Sequence, residues 1–121
     1  MKKLLKVLID TSFILPALGI ETEKNVIEAI KYFRFISVHY LEISILEAMW
    51  KIIKIIPLEE RQVVETGVRA VRETYTLIEP PPEAYIEAWK LYCSGHKDFI
   101  DNILYTTSRK LNLLFLTIDK D

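Results

Sequence analysis

Short apolar runs alternate with stretches of helical period along the whole chain. Residues 4–9, LLKVLI, are rich in Leu, Val and Ile and too short for a helix. They suit a strand buried on both faces. The following DTSFILPALGI contains Pro16 and Gly19, which break regular structure. ETEKNVIEAIKYFR then places Val26, Ile27, Ile30 and Phe33 at helical spacing, with Thr22 as its expected cap. A second strand is expected at 35–38, FISV. Leu41, Ile45, Leu46, Met49, Ile52, Ile53 and Ile56 form one broad apolar stripe of a helix over 40–56, ended by Pro57.

A third helix is expected over 58–72, with Val63, Val64, Val68 and Val71 on its buried side, and a third strand at 74–78, TYTLI. Three prolines, 80–82, stiffen the exit, and Pro82 fits the first turn of a helix that Gly95 ends. A last helix, 98–111, leads into a final buried run, LLFLTI, at 113–118. Alternating strands and helices argue for an α/β fold with a parallel sheet covered on both faces. No internal repeat, low-complexity segment or linker divides the chain, so one domain over 1–121 is expected.

Composition narrows the function. The 121 residues carry a net charge of −1, which argues against bulk electrostatic coating of nucleic acid. The single cysteine, Cys93, allows no internal disulfide, and its apolar neighbours suggest a small buried hydrophobe. The basic start and apolar stretch of MKKLLKVLIDTSFILPALG resemble a signal peptide, but Lys6 and Asp10 interrupt any continuous hydrophobic core. A soluble cytoplasmic protein without membrane partners is the expectation.

Acidic residues stand where apolar ones are expected. In an open parallel sheet, ligands bind beyond the carboxyl ends of the strands. KVLID and LFLTID each set an aspartate, Asp10 and Asp119, directly after a buried run. Either alone reads as a helix cap; two in matching places point to a shared edge. Glu47 lies within the apolar stripe of 40–56, where its plainest role is a surface pair with Lys51. Asp98 and Asp101 share one face at the start of the last helix, Asp98 as its cap and Asp101 near the positive helix end. Carboxylates gathered without a counter-charge would raise one another's pKa values. Hard divalent cations relieve this, so the set points to Mg²⁺ or Mn²⁺. No zinc spacing and no Gly-rich phosphate loop accompany it. Arg34, Lys51, Lys54, Arg109 and Lys110 are candidate phosphate contacts, though most read equally well as solvated surface. His39, at an expected helix start, and His96 read as structural or surface residues.

DTSFILPALG after the first strand, the glutamate in VHYLEISILEAMW, and DFIDNILYTTSRKLNLLFLTID together resemble a PIN domain of the VapC-like type. The resemblance covers nearly the whole chain. It implies an α/β/α fold with a central, mostly parallel four-stranded sheet and metal-dependent hydrolysis of RNA. It also implies Asp10, Glu47, Asp101 and Asp119 as the catalytic, metal-holding acids. Asp10 and Asp101 would be the main ligands, and Glu47 and Asp119 would act directly or through water. Thr11, Ser12 and Thr117 match hydroxyl positions that orient the carboxylates. Asp98 stands where relatives often have a small hydroxyl residue. Relatives usually continue beyond Thr-x-Asp with a further helix and edge strand, so a C-terminally shortened sheet with an uncovered edge is expected. The resemblance further implies a toxin silenced by a small antitoxin, and a homodimer. The competing expectation is an inactive PIN-like interaction or scaffold module. A haloacid dehalogenase-type phosphotransferase is set aside, because Ser12 occupies the place of its required second aspartate.

Overall fold

The computed structural model describes residues 4–118. Four strands form one parallel sheet: β1 (Lys6–Ile9), β2 (Ser37–Leu41), β3 (Thr76–Ile78) and β4 (Leu114–Leu116), in the spatial order β3-β2-β1-β4. Five α-helices connect them: α1 (Lys24–Ile30), α2 (Glu42–Ile53), α3 (Arg61–Thr74), α4 (Pro82–Cys93) and α5 (Phe99–Lys110). The α/β architecture read from the alternating pattern is therefore the observed one.

Strand periodicity divides the core. Val7 and Ile9 of β1, with Val38 and Tyr40 of β2, face a cluster that includes Val26, Ala48, Val64 and Val71 from α1, α2 and α3. Leu8 and Leu41 point the other way, onto Ala88, Ile103 and Leu104 of α4 and α5. Both central strands are thus buried on both faces, as their unbroken apolar runs require. No described helix is long and apolar enough to cross a membrane.

The segment after β1 is clamped by close packing. Residues 11–13 and 15–18 form two short 3₁₀ turns, the second closed by Gly19 at φ 94°. At Gly67 of α3 an added Cβ would lie 2.1 Å from the Ala17 carbonyl oxygen, so only glycine lets α3 approach this loop. That contact fixes the backbone leading out of Asp10.

Several elements differ from expectation. The second strand begins at Ser37 and runs to Leu41, so His39 lies within β2 and does not begin a helix. Parallel pairing, with β1 at His39 and with β3 from His39 to Leu41, extends the strand through HYL and overrides the helical stripe there. The buried side of α2 is Ser44, Ala48 and Ile52, while Leu46 and Ile53 stay exposed beside Trp50. The stripe is wider than the sheet surface that α2 can cover. Val63 is half exposed, because its side chain leans over Gly19 at the surface. Thr22 caps no helix; the cap position of α1 is Glu23, which makes no side-chain cap bond. Cys93, the last residue of α4, is exposed and not a buried hydrophobe: at the end of this helix it is its neighbour Tyr92 that packs on α5, against Phe99, before Gly95 turns the chain at φ 116°.

Candidate active site

Asp10 follows the last residue of β1, and its backbone N–H donates to the Leu116 carbonyl of β4 at 3.2 Å. That bond holds the ends of two adjacent strands level. One carboxylate oxygen, Oδ1, accepts the Ser12 backbone N–H at 3.0 Å and caps the first 3₁₀ turn. The other, Oδ2, accepts the Thr117 hydroxyl at 2.6 Å. Asp10 is therefore both a cap and a member of a second network. It is only 5 % exposed. A carboxylate removed from water requires such bonds, and short O–H···O⁻ bonds are among the stronger ones.

Thr11, also buried, donates its hydroxyl to Glu47 Oε1. The bond spans from the turn after β1 to the middle of α2. It draws Glu47 toward the end of β1, where a pair with Lys51 was the plainer expectation. Ser12 contributes its backbone N–H to the site.

Asp98 caps α5: its Oδ1 accepts the Asp101 backbone N–H at 3.1 Å, as the spacing predicted. Asp101, half-buried in the first turn, lines a groove of about 570 Å³ together with Thr117, His96 and Asn102. Thr117 is thus shared: its hydroxyl holds Asp10, and its side chain faces the groove that Asp101 enters. Asp119 lies outside the described residues.

Sequence reasoning missed Asn102. Its buried side-chain amide donates to the carbonyl oxygens of His96 (2.7 Å) and Ala88 (3.4 Å), tying the turn before α5 to α4. Thr106, one turn on, donates to the Ala84 carbonyl at 2.8 Å. The two polar residues at i and i+4 beside Ile103 were the available signal: a polar stripe inside an apolar helix face, satisfied by carbonyls of α4. They set the orientation of α5, and so that of Asp101.

The donor set is carboxylate and hydroxyl oxygen, the chemistry of a hard divalent ion. A carboxylate offers about four lone-pair sites, and Asp10 uses one on each oxygen, so each oxygen keeps capacity for a cation. Among the described residues no three acidic, histidine or cysteine side chains converge as a metal shell. Mg²⁺ commonly takes one or two carboxylates and completes its shell with water, so the residues present fit such an ion.

With this geometry the fold and site define a class. The chain matches the PIN domain family over residues 7–121 and belongs to that family. Three solved structures are similar in fold. VapC20 from Mycobacterium tuberculosis, a sarcin–ricin loop cleaving toxin, shares 15% identity over 95% of this chain and 91% of that one, with a TM-score of 0.72. PAE2754 from Pyrobaculum aerophilum shares 16% over 96% and 81%, with a TM-score of 0.68. FitAcB from Neisseria gonorrhoeae shares 17% over 93% and 87%, with a TM-score of 0.64. A search of curated proteins returned no match.

Proposed function

We propose that this chain is a single-domain, Mg²⁺- or Mn²⁺-dependent ribonuclease, the toxin of a toxin–antitoxin pair, acting in the cytoplasm. The observation that carries the reading is Asp10. It is buried at the carboxyl edge of β1, held by Thr117, and linked through the adjacent Thr11 to Glu47. A fold needs no buried carboxylate there; a capping bond to Ser12 would serve equally well on the surface. Asp10 and Asp101 would hold the ion, with Glu47 and Asp119 contributing directly or through water. A divalent cation supplies two things to phosphodiester hydrolysis, acidification of the attacking water and neutralisation of phosphate charge.

The chain's own residues have separate tasks. Thr117 and the Ser12 N–H keep the Asp10 carboxylate in one orientation, and Thr11 does the same for Glu47. Asp98 caps the first turn of α5, the turn that carries Asp101, and so adds stability more than it aims the carboxylate. The toxin reading draws on family membership and on the similarity to VapC20, a sarcin–ricin loop cleaving toxin. Leu46, Trp50 and Ile53 form an exposed apolar strip on α2, the kind of surface that self-association or an antitoxin covers; a homodimer is the proposed assembly.

Thermal denaturation with Mn²⁺ tests the core of this reading. The wild type should melt higher with Mn²⁺ and cleave RNA; Asp10→Asn should do neither. A wild type indifferent to Mn²⁺ and inert toward RNA would replace the nuclease with a non-catalytic interaction module.

A further inference from the structure

The groove that Asp101 lines continues past it. It shares Leu91 and Tyr105 with a second groove, of about 580 Å³, lined by Lys90, Arg109 and Lys110 among others. Asp101, Tyr105 and Arg109 are spaced four residues apart, so they follow one another along the same side of α5 over about 12 Å. The helix thus carries, in order, a candidate metal acid, an aromatic ring and a cation.

The ring and the cation are arranged for use. Tyr105 is 43% exposed, unlike its buried neighbours Leu104 and Thr106. The Arg109 guanidinium donates to the Tyr105 hydroxyl at 2.9 Å, and its carbon stands 5.7 Å from the ring centroid. Arg109 is therefore held in place by a neutral hydroxyl. The Glu87 carboxylate in the same groove acts on its charge but makes its ion pair with Lys110, at 2.8 Å.

We infer that Tyr105 and Arg109 form the track along which single-stranded RNA leaves the acidic site, a base stacking on Tyr105 and an adjacent phosphate gripped by Arg109. Aromatic rings bind unpaired bases by stacking without regard to sequence, and arginine holds phosphate through paired N–H donors. A chain with almost no net charge needs such a localised contact, because its overall field attracts no polyanion. This inference rests on the ribonuclease reading and adds to it the form of the substrate and its direction across the fold.

The test is binding of an unstructured oligouridylate, followed by fluorescence anisotropy over a range of salt in an Asp10→Asn background. Arg109→Gln should lower the slope of log affinity against log salt by about 0.7, the share of one phosphate contact on a single strand. Arg61→Gln removes the same charge from the start of α3 and should leave that slope unchanged. Tyr105→Leu should weaken binding about ten-fold with an unchanged salt slope, whereas Tyr105→Phe, which keeps the ring, should retain most of the affinity. Both side chains are exposed, so unchanged melting temperatures will confirm that the variants fold. If the unmodified chain cuts RNA but Arg109→Gln and Arg61→Gln alter the slope equally, the track is wrong and the nuclease reading stands. Equal Tyr105 dependence for a fully paired duplex also overturns it. If the unmodified chain neither cuts nor binds RNA, both readings fall.

Discussion

Asp10 and Asp98 solve the same local problem in the same way. Each precedes a helical turn, and each accepts a backbone N–H, from Ser12 and from Asp101. Their surroundings differ. Asp98 is exposed, and among the described residues its side chain is seen to make the capping bond alone. Asp10 is buried, and its second oxygen holds the hydroxyl of Thr117, 107 positions along the chain. Capping needs only a short polar side chain at the right backbone angle. Burying a carboxylate adds a desolvation cost that a fold avoids unless the group is fully bonded or has a task. On the proposed function, the comparison separates a carboxylate that serves a helix from one that serves a site.

Substitution of Asp10 should show the difference most strongly. Asp10→Ala strands the Ser12 N–H and the Thr117 hydroxyl, at about 1–3 kcal/mol for each buried donor left unsatisfied. The variant should melt well below the wild type and show no RNA cleavage. Asp10→Asn keeps an acceptor for Ser12 and should recover much of the stability but none of the cleavage. An Asp10→Asn protein that still cuts RNA at a rate near wild type would erase the distinction from Asp98.

Thr117 is the next largest effect. Thr117→Val removes the hydroxyl that orients Asp10 while conserving shape, and loss of such an orienting bond commonly weakens metal affinity or activity about 10- to 100-fold. Thr117→Ser should restore it. Asp98→Ala should instead cost about 1 kcal/mol of stability through loss of the cap, lowering the melting temperature by about 3–6 °C. Below its melting transition it should cleave RNA within a few-fold of the wild type. Should Asp98→Ala lose cleavage as completely as Asp10→Asn, Asp98 belongs to the site as well.

Burial was the part of this contrast least legible in the sequence. The parallel sheet followed from the alternation of apolar runs with helical period, and the Asp98 cap from its spacing to Asp101. Asp10 and Asp119 were noticed because each follows an apolar run. The link between Thr117 and Asp10 is a contact between β1 and the end of β4, and no local pattern encodes it; family resemblance alone pointed to Thr117. Asn102 failed differently. It sits among the residues that were read, but its partners are backbone carbonyls of α4, which every sequence offers everywhere. The exposed face of α2 misled for a third reason. Leu46 and Ile53 have the right period for a core, and the pattern does not say how wide a surface the helix will cover.

His39 gives the smallest effect and extends the comparison to a buried titratable group outside the site. It is 9% exposed within β2, with Nε2 at 3.1 Å from the Ser37 hydroxyl and Nδ1 without a hydrogen-bond partner among the described residues. Burial, assisted by the positive charge of Lys6, lowers its pKa below the ordinary histidine value. The unfolded chain therefore binds a proton at a higher pH than the folded one. Stability linked to neutral His39 is fully present above about pH 6.5 and is lost as the pH falls from there toward the lowered folded value. The melting temperature of the wild type should accordingly fall more between pH 7.5 and pH 5.5 than that of His39→Gln, which still reaches Ser37 but does not titrate. RNA cleavage measured below the melting transition should keep the same pH profile in both proteins, because His39 is buried within β2 and its hydrogen bond goes to Ser37, not to a site carboxylate. A cleavage profile that shifts with His39→Gln would show that a buried polar residue need not face the groove to matter to it.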